Sequence, residues 1–377
     1  MKKQKIISVL VAIICLVSCS ASVYASMCLE YVPKYENGSY SEVTGTYDGY
    51  VLYDDFMFTN HTGPYGWLPM GTKDNLTIAF NGGYHDYTDA VIRIPDKIYT
   101  KKKKYIVTSL RGSCGFKEFD LNPENEYMKC VDNVVFSKDG KVLISFAKYD
   151  ERTEYVIPEG TEIIKKSAFG YCDNLTDIYF PNSVEELENS AMFACSNLKS
   201  VNLSEKIKVI PERCFSNCEN LETVTIPNNS ELNNIEENAF FYCKNLSELY
   251  IPSFDIEIDK NSFYHYDNQP IKIQLKCYVQ PKLSVSENKL SWEKIPNASY
   301  FEIYQKLNSG EYKLLKTTKA TACKFTTLKS GKKYTFAVKP VAVIPAANFD
   351  KEKDEGSYPE TFTIEGTMSE DIVVIGK

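Results

Sequence analysis

The amino-acid sequence predicts a mainly β chain with short helices, in which a repetitive solenoid with a parallel sheet precedes a β-sandwich. The first observation is a self-similar block in the middle of the 377 residues, which returns about every 23 positions. The second is a C-terminal stretch of short alternating strands separated by turns, a pattern typical of a sandwich. The third is a composition of 43% hydrophobic and 25% charged residues, which is ordinary for a folded chain of two or three domains.

The first 25 residues have the features of a secretory signal peptide. Three lysines precede a 12-residue apolar run from Ile6 to Val17, and small residues lead up to Ala25. This run is too short to cross a bilayer of about 30 Å, and no later stretch approaches the ~20 apolar residues that a spanning helix needs. We therefore expect residues 1–25 to be removed, leaving no transmembrane helix. A second interpretation stays open, because Leu16-Val17-Ser18-Cys19 resembles a bacterial lipobox and would make Cys19 a lipidation site.

Residues 26–90 are the least regular part of the sequence. They are rich in Tyr, Gly, Asn and Asp and contain the alternating pieces GYVLYDD and LTIAF. Because the ends of a repeat array expose apolar surface, we expect these residues to form a β-rich cap on the first coil of the solenoid.

The repeat consists of five aligned units between residues 155 and 267. Equivalent residues recur 23 to 25 positions apart, and no single unit has enough apolar residues to bury its own core. Four phases define the alignment: Pro158, Pro181, Ser204, Pro227 and Pro252; Ala168, Ala191, Cys214, Ala239 and Ser262; Phe169, Met192, Phe215, Phe240 and Phe263; Cys172, Cys195, Cys218 and Cys243.

Each unit is expected to contribute one short strand and one helical segment. In the strand of the first unit, Ile178 and Phe180 face the core, whereas Tyr179 faces outward. On the opposite side of the coil, apolar residues recur at helix-like spacings, which predicts a helical or partly 3₁₀ segment: Val184, Leu187, Ala191 and Cys195.

At these positions the chain resembles the BspA-type leucine-rich repeat family of bacterial surface proteins, whose signature is close to IPxxVxxIxxxAFxxCxxL. Residues 94–110 resemble the opening coil of that family, and residues 116–146 resemble its usual interrupting segment. Within the latter, Asp139-Gly140 lies between alternating apolar runs and predicts a hairpin turn. We assign the leucine-rich repeat solenoid to residues 91–275. The resemblance implies a secreted or cell-surface protein that binds or adheres.

Residues 279–377 carry the sandwich pattern and resemble a fibronectin type III domain. Trp292 matches the core tryptophan of that domain, and Leu328 with Tyr334 matches its tyrosine corner. The charged stretch NFDKEKDEGS, residues 348–357, is expected to be a long loop. The domain boundary is expected near Lys276 to Pro281, where the repeat period ends, and each domain is expected to be stable by itself.

Cysteine usage indicates buried thiols rather than a disulfide framework. Of 12 Cys residues, Cys15 and Cys19 lie in the leader, and four others stand at one phase of the repeat. Equivalent side chains in stacked coils have parallel Cβ directions, which disfavours the disulfide torsion. We expect these four residues to be reduced and buried.

Charge and composition argue against several function classes. The formal net charge of −7 argues against nucleic-acid binding, and the chain has only three His residues. Because His61 and His85 have no HExxH or CxxC motif nearby, we expect no metal site. Residues 112–115, GSCG, are interpreted as structural, since no His or Asn partner can be specified. Lys101–Lys104 is interpreted as a solvated hairpin tip. We expect no catalytic residue and no cofactor.

The outward-facing strand positions are the candidate ligand-binding residues. Five strands at ~4.8 Å spacing give a face of roughly 200 Å², whereas a standard interface needs about 800 Å² per partner. The ligand is therefore small, or other segments contribute, or attachment depends on many weak copies. Exposed tyrosines are also common strand formers, so their presence alone does not prove binding. The candidates are Tyr179, Asn202, Thr225 and Tyr250.

These features predict a non-catalytic, adhesin-like binding protein that is secreted or held at the cell surface. Its expected partner is an extracellular protein or glycan, such as host matrix or another cell surface, and it is expected to be a monomer. The alternative is a carbohydrate-active accessory protein or enzyme with its site in residues 26–90. A cleft there with facing carboxylates would support the alternative, whereas a closed cap would count against it.

Overall fold

The computed structural model describes residues 66–72, 75–81, 87–94, 97–99, 104–111, 116–266, 271–354 and 358–376. These residues divide into two compact units. The first unit consists of the residues up to 154 together with 160–175 and 188–196. The second consists of 155–159, 176–187 and the residues from 197 onward. Regular structure in the described residues is almost entirely β, as the sequence predicts.

The strands are numbered along the chain. Those before the repeat are β1 (Gly66–Thr72), β2 (Asn75–Asn81), β3 (Tyr87–Ile94), β4 (Lys97–Tyr99), β5 (Lys104–Arg111), β6 (Phe116–Leu121), β7 (Met128–Val131), β8 (Val134–Ser137) and β9 (Val142–Phe146). Those of the repeat are β10 (Glu154–Val156), β11 (Ile163–Ile164), β12 (Asp177–Tyr179), β13 (Glu186–Leu187), β14 (Ser200–Asn202), β15 (Val209–Ile210), β16 (Thr223–Thr225), β17 (Asn234–Ile235), β18 (Glu248–Ile251) and β19 (Glu257–Ile258).

The C-terminal residues add further strands and one short helix. They are β20 (Gln274–Cys277), β21 (Leu283–Ser286), β22 (Lys289–Trp292), β23 (Tyr300–Lys306), β24 (Tyr312–Thr318), β25 (Ala322–Lys324), β26 (Lys333–Pro345), α1 (Lys351–Asp354), β27 (Thr361–Gly366) and β28 (Ile372–Ile375).

The strands before the repeat form small sheets within the first unit. One sheet has the order β1-β2-β5-β4, in which β4 and β5 form an antiparallel hairpin. The predicted lysine-rich tip between these two strands lies largely outside the described residues, which resume at Lys104. A second, two-stranded sheet pairs β3 with β6 in parallel. The described parts of residues 66–90 are therefore strands.

The hairpin predicted at Asp139-Gly140 is confirmed. β8 pairs antiparallel with β9, and the turn between them places Gly140 at a φ of 84°, where a Cβ is disfavoured. Asp139 Oδ1 accepts hydrogen bonds from Ser137 Oγ at 2.6 Å and from the backbone N of Lys141 at 3.0 Å. These bonds stabilise the turn locally, as Asp does in many turns.

In the second unit the repeat builds two narrow parallel sheets. β10, β12, β14 and β16 form one sheet, and the two-residue strands β15, β17 and β19 form another. Pairing between the coils is in register, with Val201 opposite Ile178 and Val224 opposite Val201. These residues are buried because each strand is only three residues long and turns its central side chain inward.

The helical segments predicted on the opposite side of the coils are absent from the described repeat. Turns and two-residue strands occupy residues 184–198 instead. The physical reason is that each coil contains two residues with a left-handed backbone conformation, four positions apart. These residues break the hydrogen-bond pattern of a helix. The pairs are Ser167 and Tyr171, Ser190 and Ala194, Arg213 and Asn217, and Asn238 and Tyr242.

Backbone groups in these turns bond to the neighbouring coil rather than along a helix. In the second unit the donors and acceptors lie one repeat apart, at 2.6 to 2.9 Å. This arrangement places inward side chains at intervals of three and four residues. The apolar residues therefore have the same spacing in the sequence as those of an amphipathic helix. The bonds run from Phe215 N to Ala239 O, from Asn217 N to Phe241 O, from Phe240 N to Ser262 O and from Tyr242 N to Tyr264 O.

A stack of aromatic rings fills the coils of the second unit. Phe215, Phe240 and Phe263 lie one above the other with centroids 5.3 Å apart at each step and planes within 7° of parallel. Phe215 and Phe240 are completely buried. Burial of such side chains supplies the main stabilisation of the repeat, because each ring contacts its equivalents in the adjacent coils.

The four repeat cysteines are buried free thiols, in agreement with the sequence-based expectation of burial. Cys172 and Cys195 lie in the first unit, and Cys218 and Cys243 in the second. Cys243 Sγ donates a hydrogen bond to the carbonyl oxygen of Phe215 at 3.0 Å. Burial raises the pKa of Cys243 above its ordinary value, so this thiol stays protonated and unreactive.

The C-terminal residues form two antiparallel arrangements of strands. β21, β22 and β25 make a three-stranded sheet, and β27, β26, β23 and β24 lie side by side with β28 next to β26. Trp292 of the first sheet is buried and packs on Phe301 of the second, with ring centroids 5.2 Å apart. Trp292 is therefore a core residue of the C-terminal strands.

β20 connects the repeat to the second of these sheets. Its Leu275 is the parallel partner of Leu249 in β18 on one side and of Ile364 in β27 on the other. Leu275 and Cys277 are both buried. One hydrogen-bonded sheet therefore continues from β18 of the repeat into the C-terminal strands, and the predicted domain boundary falls at the end of β20.

The charged stretch after β26 returns to the last coil of the repeat. Ala347 N donates to Ile258 O at 2.8 Å, and Lys260 N donates to Ala347 O at 3.1 Å. The Lys260 ammonium lies 2.6 Å from Asp354 Oδ2, and both side chains are largely buried. We call residues 346–354 with Lys260 the clasp. The sequence identified this stretch only as a charged loop, whereas the structure shows that it binds the coil.

Candidate binding face of the repeat

Three neighbouring strands present outward side chains in one row. β12, β14 and β16 pair in parallel, and Tyr179, Asn202 and Thr225 are successive Cα partners. All three are exposed, with 37% of the Tyr179 surface accessible. The residue before each of them is buried, as the alternation of a strand requires. The structure therefore brings together three of the four candidates in the orientation that the sequence predicts.

The row starts one strand earlier than the sequence analysis recognised. Val156 of β10 precedes Tyr179 by one repeat and is 68% exposed. The position of Val156 in this row follows from a backbone hydrogen bond of 2.9 to 3.0 Å that recurs between each strand and the next. The bonds run from Ile157 N to Tyr179 O, from Phe180 N to Asn202 O and from Leu203 N to Thr225 O. Because Val156 precedes Ile157-Pro158 as Tyr179 precedes Phe180-Pro181, the repeat alignment contained the signal for this position.

A second outward row lies two residues earlier in the same strands. Asp177 accepts hydrogen bonds from Thr176 Oγ1 at 2.7 Å and from Ser200 Oγ. Asp177 and Ser200 are half-buried, whereas Thr223 is exposed. Asp177 and Ser200 bind each other and are half-buried. The row of Val156, Tyr179, Asn202 and Thr225, which we call the face row, therefore offers more surface to a ligand.

The expectation of five strands in one sheet is wrong at the last strand. β18 does not extend the sheet of β10 to β16 but pairs with β20. The change coincides with the coil between Pro227 and Pro252, which is 25 residues long instead of 23. Tyr250 therefore stands on a different hydrogen-bonded sheet from the other three candidates, and it is half-buried rather than fully exposed.

Tyr250 is packed against a residue that the sequence analysis did not identify. The ring centroids of Tyr250 and Tyr278 are 5.3 Å apart, and Tyr278 donates its hydroxyl hydrogen to Ile226 O at 3.1 Å. Lys276 Nζ lies 5.3 Å from the centre of the Tyr250 ring and forms an ion pair with Glu248. The hydrogen bond to Glu248 raises the pKa of Lys276, and burial raises the pKa of Tyr278. Tyr278 follows the last repeat, so periodicity gave no signal for it.

The face offers the chemistry of recognition: an aromatic ring, an amide, a hydroxyl and an aliphatic side chain in line. Such groups supply stacking, hydrogen bonding and apolar contact to a ligand. In the described part of the chain, no group of three or more His, Cys, Asp or Glu residues is placed to hold a metal ion. None of the described helices is long and apolar enough to cross a membrane.

Several predicted features lie outside the described residues. They are the leader with Cys19, residues 26–65, both histidines considered for a metal site, and the GSCG stretch at residues 112–115.

Comparison with protein families matches residues 144–269 to the BspA type leucine rich repeat region, in six copies. This is one copy more than the five units aligned from the sequence, and the match begins before the first of those units. Residues 144–269 are thus similar to a BspA type leucine rich repeat region. No curated protein matches the chain.

Among solved structures, a leucine rich cell surface protein from Faecalibacterium prausnitzii is 23% identical, with a TM-score of 0.42 over 50% of this chain and 48% of that one. A leucine-rich repeat protein from Eubacterium ventriosum is 19% identical, with a TM-score of 0.33 over 48% and 55%. The pneumococcal vaccine antigen PcpA is 12% identical, with a TM-score of 0.33 over 57% and 91%. The chain spans about half the length of the first two.

Proposed function

We propose that this chain is a non-catalytic, adhesin-like binding protein, secreted or held at the cell surface, which recognises an extracellular protein or glycan through the face row. The observation that carries the proposal is the exposure of Tyr179, Asn202 and Thr225 in register on one parallel sheet. A BspA-type repeat is consistent with such a role. The repeat core does not need these side chains, because the buried central residues of the strands form it.

The area of the face limits the mode of binding. Four strands at ~4.8 Å spacing are about 14 Å across, and each is about 10 Å long. The area of the face is therefore only a small part of the about 800 Å² per partner that a standard protein interface buries. We therefore infer that a single copy binds a small epitope weakly and that attachment of a cell gains strength from many copies. In this proposal the chain itself acts as a monomer.

The proposal includes export and possible anchoring. Residues 1–25 serve as a signal peptide, and lipidation of Cys19 is the alternative that would hold the protein on the membrane. The order of apolar and small residues in the leader supports export. Mass spectrometry of the mature protein distinguishes the two outcomes, because cleavage after Ala25 leaves an unmodified N-terminus, whereas lipidation adds acyl chains to Cys19.

We also propose that residues 279–377 are a fibronectin type III domain that acts as a spacer. Supporting features are the three-stranded sheet β21-β22-β25 beside the strands β27-β26-β23-β24, and the buried Trp292 between them. The Tyr334 hydroxyl accepts a hydrogen bond from Lys329 N at 3.2 Å, which matches the position expected for a tyrosine corner.

The binding proposal is tested with purified residues 26–377 on surfaces that carry matrix proteins or glycans. The double variant Tyr179→Ser with Asn202→Ala should weaken binding to the ligand found in this screen by roughly tenfold, about 1.4 kcal/mol, with an unchanged thermal midpoint. Tyr312→Ser is the matched control, because Tyr312 is an equally exposed strand tyrosine outside the repeat, at 39%.

A second control separates binding from folding. Leu198→Ala removes a completely buried side chain, so it should cost about 2–5 kcal/mol of stability while leaving the face row intact in the folded fraction. If the double variant of the face row binds as well as the parent protein, the face row is not the binding site.

A further inference from the structure

A cluster of aromatic side chains lies on the outward side of the turns in the last two coils, away from the strands of the face row. Its rings are Phe241, Tyr242, His265 and Tyr266. Tyr242 is at the centre of the cluster, with its ring centroid 4.3 Å from that of Tyr266 and 6.4 Å from that of Phe241. The centroids of Tyr266 and Phe241 are 5.0 Å apart. The His265 and Tyr242 centroids are 5.7 Å apart. We call these four residues the turn cluster.

The core of the repeat does not explain the turn cluster. The inward aromatic position of each coil is already filled by the stack that contains Phe240 and Phe263. Tyr266 is 65% exposed, so most of its ring remains in contact with water. Exposed aromatic surface of this kind contributes little to folding and is a common feature of binding sites.

The backbone at Tyr242 has a conformation that recurs in the other coils. Tyr242 has a φ of 60°, in the left-handed region that disfavours most side chains, and its equivalent in the preceding coil is Asn217 with a φ of 63°. Asn is the non-glycine residue that tolerates this region best. Tyr171 and Ala194 hold the same position in earlier coils with φ of 60° and 57°, so the coil sets this backbone conformation whatever the residue, and the core does not require a tyrosine at 242.

Polar groups border the exposed rings. Lys244 Nζ lies 4.1 Å from the centre of the Tyr242 ring and 2.8 Å from Glu219 Oε2, and the Tyr266 hydroxyl donates to Asn217 Oδ1. The charges of Lys244 and Glu219 compensate each other. The border thus offers an ammonium, a carboxylate and an amide for hydrogen bonding but no unbalanced charge that would attract an ionic ligand.

The combination matches one class of ligand. A pyranose ring has an apolar face of C–H groups, which packs on aromatic rings, and a rim of hydroxyls, which donate to and accept from polar side chains. A protein partner would need about 800 Å² of contact, which four rings do not supply. We propose that the turn cluster binds the apolar face of a neutral pyranose sugar.

This site is separate from the face row, so the two proposals fail independently. The test is titration of the full chain with cellohexaose, mannohexaose and galactohexaose, followed by saturation-transfer NMR of the sugar. At least one of the three should bind at millimolar concentration or below. Tyr242→Asn combined with Tyr266→Ser should then weaken that binding at least tenfold.

The controls distinguish a binding role from a structural one. Tyr242→Asn reproduces the residue that the preceding coil has in the same backbone conformation, so the double variant should keep the parent thermal midpoint. Tyr312→Ser, at an equally exposed strand tyrosine outside both proposed sites, should leave sugar binding unchanged. The proposal is overturned if none of the three sugars binds, if the turn-cluster variant binds them as well as the parent, or if that variant loses attachment to a protein but not to a sugar.

Discussion

Coils of the repeat are joined to one another by one kind of contact, and the last coil is joined to the C-terminal strands by another. Between coils, partners lie one repeat apart: Asn220 Nδ2 donates to Asn197 Oδ1 over 23 residues, and Lys244 pairs with Glu219 over 25. At the clasp, Lys260 pairs with Asp354 over 94 residues. Both sets of contacts lie in the second unit.

The difference shows that some contacts of one chain can be predicted from the sequence, whereas others cannot. Contacts between coils recur, so one alignment reveals them all. The clasp occurs once, and its partners belong to segments with no shared period. The end of a repeat array needs a cap, and here β20 and the clasp cover the last coil.

The largest effect is expected from the interior of the repeat. Phe240→Ala removes the middle ring of the stack and should lower the free energy of unfolding by about 3–5 kcal/mol, because the cavity lies between two rings that cannot close over it. Chemical denaturation of both proteins measures the loss. Tyr179→Ser is the control and should change stability by less than about 0.5 kcal/mol. A loss below about 1 kcal/mol for Phe240→Ala would contradict the importance of the stack.

A smaller effect is expected at the junction. A fragment of residues 279–377 is predicted to fold cooperatively, and a fragment that starts at residue 271 should be more stable by up to about 1.5–3 kcal/mol, the value of burying one leucine side chain. The added strand β20 brings Leu275 against Ile364. Equal stability of the two fragments would show that β20 belongs to the repeat alone, and an unfolded shorter fragment would show that β20 is part of its core.

The clasp should contribute less, and its contribution should depend on pH. The hydrogen bond from Lys260 holds the pKa of Asp354 below its ordinary value. A carboxylate with a lowered pKa stabilises the folded state above its unfolded pKa of about 3.9 and loses this effect as the pH falls through the lower, folded value. Asp354→Asn should therefore lower the thermal midpoint at pH 7, and the difference from the parent should shrink towards pH 3.

Asp371 provides the control for the clasp. Hydrogen bonds from Lys306 and Tyr312 also lower the pKa of Asp371, and all three residues lie within residues 271–377. In the fragment that starts at residue 271, Asp371→Asn should keep its effect on the thermal midpoint, whereas the effect of Asp354→Asn should shrink, because Lys260 is missing and only the hydrogen bond from Asp350 N at 2.7 Å remains. If Asp354→Asn has the same effect in the fragment as in the full chain, the clasp does not stabilise the last coil.

The smallest effect is expected at the repeat thiols, which should not react with an alkylating reagent while the protein is folded. Burial raises the pKa of Cys172 and of Cys243, which keeps the reactive thiolate scarce at pH 8. All four repeat cysteines should resist alkylation until denaturant is added and should then react without prior reduction, as mass spectrometry can count. Labelling of the folded protein would show that the coils open, and residual unlabelled pairs after denaturation would reveal disulfides.

Some features of the candidate sites could be predicted from the sequence, and others could not. The alternation of Ile178, Tyr179 and Phe180 predicts correctly which side chain faces outward, because the period of a strand is a local property. Tyr278 and the clasp gave no such signal. The predicted helix failed for a different reason: turns that bond to the next coil place inward residues at the same spacing as a helix.

By itself, the sequence determined the solenoid, its strands, its buried phenylalanines and cysteines, and the outward row at Tyr179, Asn202 and Thr225. It could do so because these features depend on spacing between residues that are neighbours or one repeat apart. Only the tertiary structure decided that β18 leaves the first sheet to pair with β20, that a charged loop binds the last coil, and that four aromatic rings meet on the turns. Those contacts depend on where distant segments end up in space, which no local period encodes.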